Sequence, residues 1–241
     1  MADLARIAIV TGASRGLGTV VARVLAGRGW DLVIGGRDAR ALTDVETALA
    51  RAGRRVRTVV GDVTEAATRR RLVAEASALG GLQLLVNNAS ELGVIAPLAE
   101  VDLERFERVL RANVVAPLGL VQLALPLLVR AGGLVVNVTS DAAVGAYPGW
   151  GGYGASKAAL ELLTRTLASE IGEQVTVVSV DPGDMRTRMH QEAYPGQDVS
   201  DRPLPEVTEP FWRWLFDQDL RSIGGRRFAA QQESSTWLQP A

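Results

Sequence analysis

The chain has 241 residues, of which 47% are hydrophobic and 22% are charged, values typical of a globular domain. Its net charge of −1 gives no electrostatic reason to expect nucleic acid or an anionic membrane as a partner. The absence of cysteine excludes disulfides, zinc-thiolate sites and a catalytic thiol, and we expect no metal. No apolar run reaches the ~18 residues of a membrane span, and residues 1–6 lack the apolar run of a secretory signal. We therefore expect a cytoplasmic protein.

The basic residues are almost all arginine. Of 26 basic residues, only Lys157 is a lysine and all others are arginine. A compact ammonium and a planar guanidinium are not interchangeable, so a lone lysine in such a chain is a candidate for a role that arginine cannot fill. Chance survival of one lysine is the alternative that composition alone leaves open.

Short β-branched runs alternate with helical stretches, the pattern of βαβ units and a parallel sheet. In chain order, we predict a strand at residues 6–11, a helix at 16–29, a strand at 31–34, a helix at 39–52, a strand at 56–60, a helix at 65–79, a strand at 82–86, a long helix at about 102–129, a strand at 134–139, a helix at 153–171, a strand at 175–180, a short helix at 206–217 and a last strand at 226–230. Pro117 and Pro126 predict a kink or an early end in the long helix. Residues 184–205 are polar and predict an irregular excursion. Together the pattern indicates one α/β domain over residues 1–241, a Rossmann-like doubly wound sheet of about seven mostly parallel strands.

A glycine-rich turn, TGASRGLG, joins the first predicted strand to the first helix. Such a turn lets the backbone approach a pyrophosphate, and the helix N-terminus favours negative charge there. The glycine spacing is G-x-x-x-G-x-G and not the common G-x-G-x-x-G, so an ordinary tight turn remains the alternative for this feature alone.

The stretch after the second strand indicates which cofactor is bound. Folds that prefer NAD usually place a carboxylate there to hold the ribose 2′-hydroxyl, but this stretch ends on Arg37. Arg37 and Arg15 can each pair with a 2′-phosphate. We therefore expect NADP(H) in preference to NAD(H). Asp38 stands one position too late for the ribose role and is the residue that can overturn this expectation.

Tyr153 and Lys157 lie four residues apart and therefore share one helix face. A free phenol has a pKa near ~10, too high for an efficient base, and a nearby ammonium favours its ionised form. Ser140 ends the fifth strand, at the sheet edge where such folds bind ligands. A pair of surface residues remains the alternative for Tyr153 and Lys157 taken alone.

With these features together, the chain resembles the short-chain dehydrogenase/reductase family in its common single-domain form. The similarity runs from Thr11 to about Thr187 and more loosely to the C-terminus. It rests on the glycine-rich turn, Asp62-Val63, Asn87-Asn88-Ala89, Asn113, Ser140, Tyr153-x-x-x-Lys157, and Pro182-Gly183 with Thr187.

The resemblance implies a role for each matching residue. Tyr153 would be the general acid/base, Lys157 would lower its pKa and hold the nicotinamide ribose, Ser140 would orient the substrate oxygen, and Asn113 would help to hold a water that links Lys157 to solvent. The remaining cofactor contacts implied are Gly12, Ser14, Arg15, Gly16, Leu17 and Gly18 in the turn, Arg37 at the 2′-phosphate, Asp62 and Val63 beside the adenine, Asn88 and Ala89 on the cofactor floor, and Pro182, Gly183 and Thr187 by the nicotinamide.

Two positions depart from the family pattern. Ser90 stands where glycine usually follows Asn-Asn-Ala, and Asp184-Met185 replace an aromatic or aliphatic pair after Pro182-Gly183. Both departures lie near the expected cleft, so the substrate cannot be transferred by analogy.

The resulting hypothesis is NADP(H)-dependent interconversion of a ketone or aldehyde and an alcohol, with a small-molecule substrate and a homodimer or homotetramer as the assembly. Two alternatives remain at this point: a catalytically silent protein that binds the cofactor or acts as a scaffold, and an NAD-linked alcohol dehydrogenase on the same fold.

Overall fold

A computed structural model describes residues 6–237, so both ends of the expected domain, residues 1–5 and 238–241, lie outside the described residues. Seven strands form one sheet in the order β3-β2-β1-β4-β5-β6-β7, and every ladder is parallel. The strands are β1 Ile7–Thr11, β2 Asp31–Gly36, β3 Val56–Val60, β4 Leu84–Asn87, β5 Leu134–Val138, β6 Thr176–Asp181 and β7 Arg227–Ala229. The predicted Rossmann-like sheet is confirmed.

Helices cover both faces of the sheet. They are α1 Gly16–Gly27, α2 Ala39–Ala50, α3 Ala66–Leu79, α4 Leu103–Leu110, α5 Ala116–Ala131, α6 Gly151–Ile171, α7 Arg188–Ala193, α8 Glu209–Leu215 and α9 Leu220–Ile223. One apolar core lies between the sheet and α1, α2 and α8, and a second lies between the sheet and α3, α5 and the end of α6. The strand order reverses between β1 and β4, and such a reversal opens a ligand-binding crevice at the carboxyl ends of the strands.

The long predicted helix is continuous but not uniform. Between α4 and α5, residues Arg111–Val115 form a π-helical turn. Pro117 has no N–H to bond the carbonyl of Asn113, so the regular α-helical ladder cannot continue through this point. By length and composition, Leu103–Ala131 would pass as a membrane span, but half of its apolar window is buried inside the fold, as in the core helix of a globular protein.

The C-terminal third differs most from the sequence prediction. Residues 184–205 are not wholly irregular, because α7 forms within them, with the Thr187 hydroxyl accepting a hydrogen bond from the N–H of His190 at 3.2 Å. The predicted helix at 206–217 is shorter, since a 3₁₀ turn, Pro205–Thr208, precedes α8. The aromatic residues of α8 include Phe211 and Trp212, both fully buried in the core.

A buried row of polar side chains fixes α6 against the sheet. Asn87 on β4 donates to Asn137 on β5 at 2.9 Å, and Asn137 donates to the hydroxyl of Thr164 on α6 at 2.8 Å. All three side chains are buried, so each depends on its neighbour in place of water. This row sets the position of the helix that carries Tyr153 and Lys157.

We predict that Asn137→Leu lowers the free energy of unfolding by about 2 kcal/mol or more, because the buried amide of Asn87 loses its acceptor. Urea denaturation measures the change. Thr43→Val, at an exposed position on α2, is the control and should stay within about 0.5 kcal/mol of the parent. Equal stability of the Asn137→Leu protein and the parent would show that the row does not hold α6.

Candidate active site

One large cleft crosses the carboxyl ends of the strands at the point where the strand order reverses. Every residue that the sequence analysis placed at the cofactor or the reacting atoms lines this cleft except Asn113, which lies behind its wall and is 1% exposed. The predicted residues brought together there are Gly12, Ser14, Arg15, Gly16, Leu17, Gly18, Arg37, Asp62, Val63, Asn88, Ala89, Ser140, Tyr153, Lys157, Pro182, Gly183 and Thr187.

The glycine-rich turn is tightly packed against the loop that follows β4. Gly12 has a positive φ of 66°, and a Cβ at Gly18 would overlap the carbonyl oxygen of Gly12. The side-chain amide of Asn88 donates to the carbonyl of Thr11 at 2.8 Å, and the hydroxyl of Thr11 accepts from the N–H groups of Asn88 and Ala89, both at 3.0 Å. The first turn of α1 contains no acidic side chain, so its N-terminus remains attractive to an anion.

The two arginines expected at a 2′-phosphate are both paired with carboxylates. Arg15 contacts Asp38 at 2.9 Å, and Arg37 lies 4.0 Å from Asp62. Asp38 also caps α2 by accepting from the N–H of Ala41, and this bond, with Arg15 beside it, lowers the pKa of Asp38. Asp38 therefore stays ionised at the cofactor end of the cleft and competes for Arg15.

The first turns of α6 carry Tyr153 and Lys157 into the cleft, where both side chains are buried. The ammonium of Lys157 donates to the carbonyl of Val138 at 2.8 Å and lies 5.5 Å from the centre of the Tyr153 ring. Burial lowers the pKa of Lys157 to about 8, against the opposing effect of Asp181. Burial raises the pKa of Tyr153 to about 12, although the hydroxyls of Ser90 and Ser140 both favour its ionised form.

Ser140 begins a short turn at the end of β5. Its hydroxyl donates to Asp141 at 2.9 Å and accepts from the N–H of Ala142 at 3.2 Å. Asp141 also accepts from the hydroxyl of Tyr147 at 2.7 Å. Tyr147 is therefore engaged and exposed, whereas Tyr153 is buried in the cleft that Ser140 lines.

The side chain of Asn113 is fully occupied. Its amide donates to the carbonyl of Glu91 and to the hydroxyl of Ser156, both at 2.9 Å. Its oxygen accepts from the N–H of Glu91 at 2.8 Å and from the hydroxyl of Ser90 at 3.1 Å. Asn113 therefore fastens the loop after β4 to the helix that carries Tyr153.

A buried group of charges beneath the cleft was missed by the sequence analysis. Arg227 on β7 contacts Glu161 at 2.8 Å and Asp181 at 2.9 Å, and Thr139 donates to Glu161 at 2.9 Å. These contacts join β5, β6, β7 and α6 at one edge of the sheet. The only signal in the sequence was the position of Asp181 immediately before Pro182-Gly183, since nothing marks Arg227 as its partner.

The substrate end of the cleft has an aromatic and thioether wall. Trp150 packs edge-on against Tyr153 with ring centres 5.9 Å apart, and Tyr194 lies 6.0 Å from Trp150. Met189 packs against the same cluster, and Met185 lines the cleft. Among residues 6–237, no three His, Asp or Glu side chains are grouped so that they could hold a metal ion.

Comparison with known proteins agrees with this geometry. Residues 6–198 match the family model described as short chain dehydrogenase. The chain is 38% identical over 243 residues to L-xylo-3-hexulose reductase of Hypocrea jecorina, with 91% of this chain and 80% of that protein covered.

Solved structures share the fold. A short chain dehydrogenase from Shigella flexneri 2a strain 301, complexed with NADP, has a TM-score of 0.88 and 30% identity, with 96% of this chain and 100% of that chain covered. Another from Escherichia coli CFT073, complexed with NADPH, has a TM-score of 0.88 and 31% identity, with coverage of 95% and 99%. This chain therefore belongs to the short-chain dehydrogenase/reductase family of nicotinamide-dependent oxidoreductases.

Proposed function

We propose that the protein interconverts a ketone or aldehyde and an alcohol with NADP(H), and that Tyr153 is the general acid/base. The observation that carries this proposal is the burial of the only lysine of the chain beside Tyr153, at the edge of the cleft that Ser140 also lines. When bound, the nicotinamide would supply or accept a hydride at the substrate carbon. The chain itself would handle the proton and the substrate oxygen.

In the reducing direction, Tyr153 donates its phenolic proton to the substrate oxygen. The raised pKa of Tyr153, about 12, keeps that proton in place at neutral pH. The ammonium of Lys157 and the hydroxyl of Ser140 favour the phenolate that forms as the proton leaves. Ser140 then turns from Asp141 to the substrate oxygen, where its hydroxyl stabilises developing negative charge.

In the oxidising direction, Tyr153 must first lose its proton. Burial opposes this loss, so the alcohol-oxidation rate rises with pH until the phenol ionises. The positive charge of Lys157, and that of an oxidised nicotinamide when bound, would shift this rise in rate toward neutral pH, because both charges favour the phenolate.

The residues around the cleft fit a dinucleotide. The turn from Gly12 to Gly18 and the N-terminus of α1 would hold the pyrophosphate, and Asp62 with Val63 would flank the adenine. Pro182, Gly183 and Thr187 would lie by the nicotinamide. Because the side chain of Asn113 is fully occupied, the water that would join Lys157 to solvent would bond the main chain of Asn113.

Preference for the 2′-phosphate depends on two arginines. Arg15 and Arg37 are both exposed at the ribose end, and two structural relatives are complexed with NADP or NADPH. The contact between Arg15 and Asp38 favours a second candidate, an NAD-linked enzyme, because an ionised Asp38 repels a phosphate. NADP(H) binding therefore requires Arg15 to leave Asp38 or to bridge both anions.

We also propose a homodimer or homotetramer in the cytoplasm. Support for the assembly comes from large apolar side chains left exposed on the long helix and α6, namely Leu103, Val115 and Leu162.

We predict that Tyr153→Phe lowers turnover by ~10²-fold or more while NADPH binding is retained, because only the acidic proton is removed. Initial rates over a panel of ketones, aldehydes and quinones measure the first quantity, and fluorescence titration of NADPH measures the second. Tyr147→Phe is the matched control and should keep most activity. Near-normal turnover of the Tyr153→Phe enzyme would show that Tyr153 is not the general acid/base.

We predict that Arg37→Ala weakens NADPH binding about tenfold or more and leaves NADH binding nearly unchanged, since only NADPH carries the 2′-phosphate. Asp38→Asn, which can still cap α2, should strengthen NADPH binding because it frees Arg15. Calorimetric titration measures both, with the exposed Arg51→Ala as control. Tighter binding of NADH than of NADPH by the unmodified protein would favour the NAD-linked alternative.

A further inference from the structure

Ser90 lies at the start of the loop after β4, where its hydroxyl meets two parts of the site. It donates to the side-chain oxygen of Asn113 at 3.1 Å, and it lines the same cleft as the side chain of Tyr153, where it lowers the pKa of the phenol against the larger, opposing effect of burial. Ser90 is half-buried, so its hydroxyl is partly protected from water. Two serine hydroxyls that line the cleft, those of Ser90 and Ser140, therefore favour the ionised form of the Tyr153 phenol.

Asn113 connects Ser90 to the other end of the same tyrosine. The amide of Asn113 donates to the hydroxyl of Ser156 at 2.9 Å, and Ser156 donates to the main-chain carbonyl of Tyr153 at 2.6 Å. Asn113 thus joins the hydroxyl of Ser90 to the serine that holds the backbone of Tyr153. This series of contacts runs through side chains from three separate segments.

We propose that Ser90 is a second hydroxyl serving Tyr153, which turns its hydrogen bond from Asn113 to the phenol oxygen when Tyr153 gives up its proton. This inference rests on the proposed role of Tyr153 as the acid/base. No proton is lost by Ser90 itself: the proton of Tyr153 passes to the substrate oxygen, and Ser90 keeps its own proton while changing the acceptor.

The rearrangement leaves no buried group without a partner. When Ser90 turns away, the oxygen of Asn113 still accepts from the N–H of Glu91 at 2.8 Å. The new bond is to an anion, and hydrogen bonds to charged groups contribute more than those between neutral groups. Because Ser90 then stabilises the phenolate, the hydroxyl of Ser140 is free to bond the substrate oxygen.

The other charges that face Tyr153 act in both directions. Asp181 at the end of β6 and Asp141 after β5 each raise its pKa. The ammonium of Lys157, which lies 5.5 Å from the centre of the ring, has the sign of charge that favours the phenolate. These groups stay in place when Ser90 is changed, so a shift caused by a substitution at Ser90 reports the lost hydrogen bond.

The matched variants are Ser90→Thr and Ser90→Val, which have nearly the same shape and differ in the hydroxyl. The chain contains three tyrosines, so global labelling with 3,5-difluorotyrosine gives few fluorine resonances, and Tyr153→Phe identifies the one from Tyr153. The fluorinated phenol ionises at lower pH than tyrosine, which brings its titration into an accessible range. Fluorine NMR then measures the pKa of residue 153 without any turnover.

We predict that the pKa of Tyr153 is about one pH unit higher in the Ser90→Val protein than in the Ser90→Thr protein. The alkaline limb of alcohol oxidation should move by the same amount, so that the rate at neutral pH falls about tenfold. Ser77→Ala, an exposed change on α3, should leave both profiles unaltered.

The NMR titration tests this inference, and the activity assay tests the proposed function, so the failure of one can be told from the failure of the other. If the pKa of Tyr153 is the same in the Ser90→Thr and Ser90→Val proteins, Ser90 does not act on the phenol, whatever substrate the enzyme converts. If they titrate apart but no carbonyl compound is reduced, the Ser90 contact stands and the proposed reaction is wrong. If the Ser90→Thr or Ser90→Val protein does not fold, the Ser90→Ala protein is compared with the parent instead. The pKa of Tyr153 must then be higher in the Ser90→Ala protein than in the parent.

Discussion

The arrangement of the site depends on one buried ammonium. Lys157 is the only lysine of the chain, and its side chain is 2% exposed and bonded to the carbonyl of Val138 at the end of β5. That bond ties α6 to the sheet edge and sets the distance between the ammonium and the ring of Tyr153. Arginine, with its planar fork and larger head, cannot occupy the same space, which is why this position stands apart from the other basic residues.

Burial of this charge has a cost that varies with pH. Because the pKa of Lys157 falls from 10.5 to about 8 on folding, the unfolded chain binds more protons between those values. Stability attributable to this group therefore rises as pH increases through that window, and it is lowest where the lysine is charged. The carboxylate of Asp181, held by Arg227, opposes the loss of charge, so the site keeps an ammonium at neutral pH.

The sequence predicted the parts of the site that depend on local spacing. The turn after β1 and the four-residue spacing of Tyr153 and Lys157 are properties of single segments, so they could be read directly. The contact of Arg227 with Glu161 joins residues far apart in sequence, and no local pattern marks it. Likewise, α7 lacks a clear apolar period and forms where Thr187 caps it, which explains why that stretch was expected to be irregular.

The most direct measurement uses the single lysine. Protein labelled with nitrogen-15 at the lysine side chain gives one Nζ resonance, from Lys157, whose titration reports its charge. We expect a midpoint near the lowered pKa of about 8, with an ammonium at neutral pH protected from solvent exchange. A midpoint at the ordinary value for an exposed lysine, or a neutral amine at pH 7, would contradict the claim that a buried ammonium acts on Tyr153.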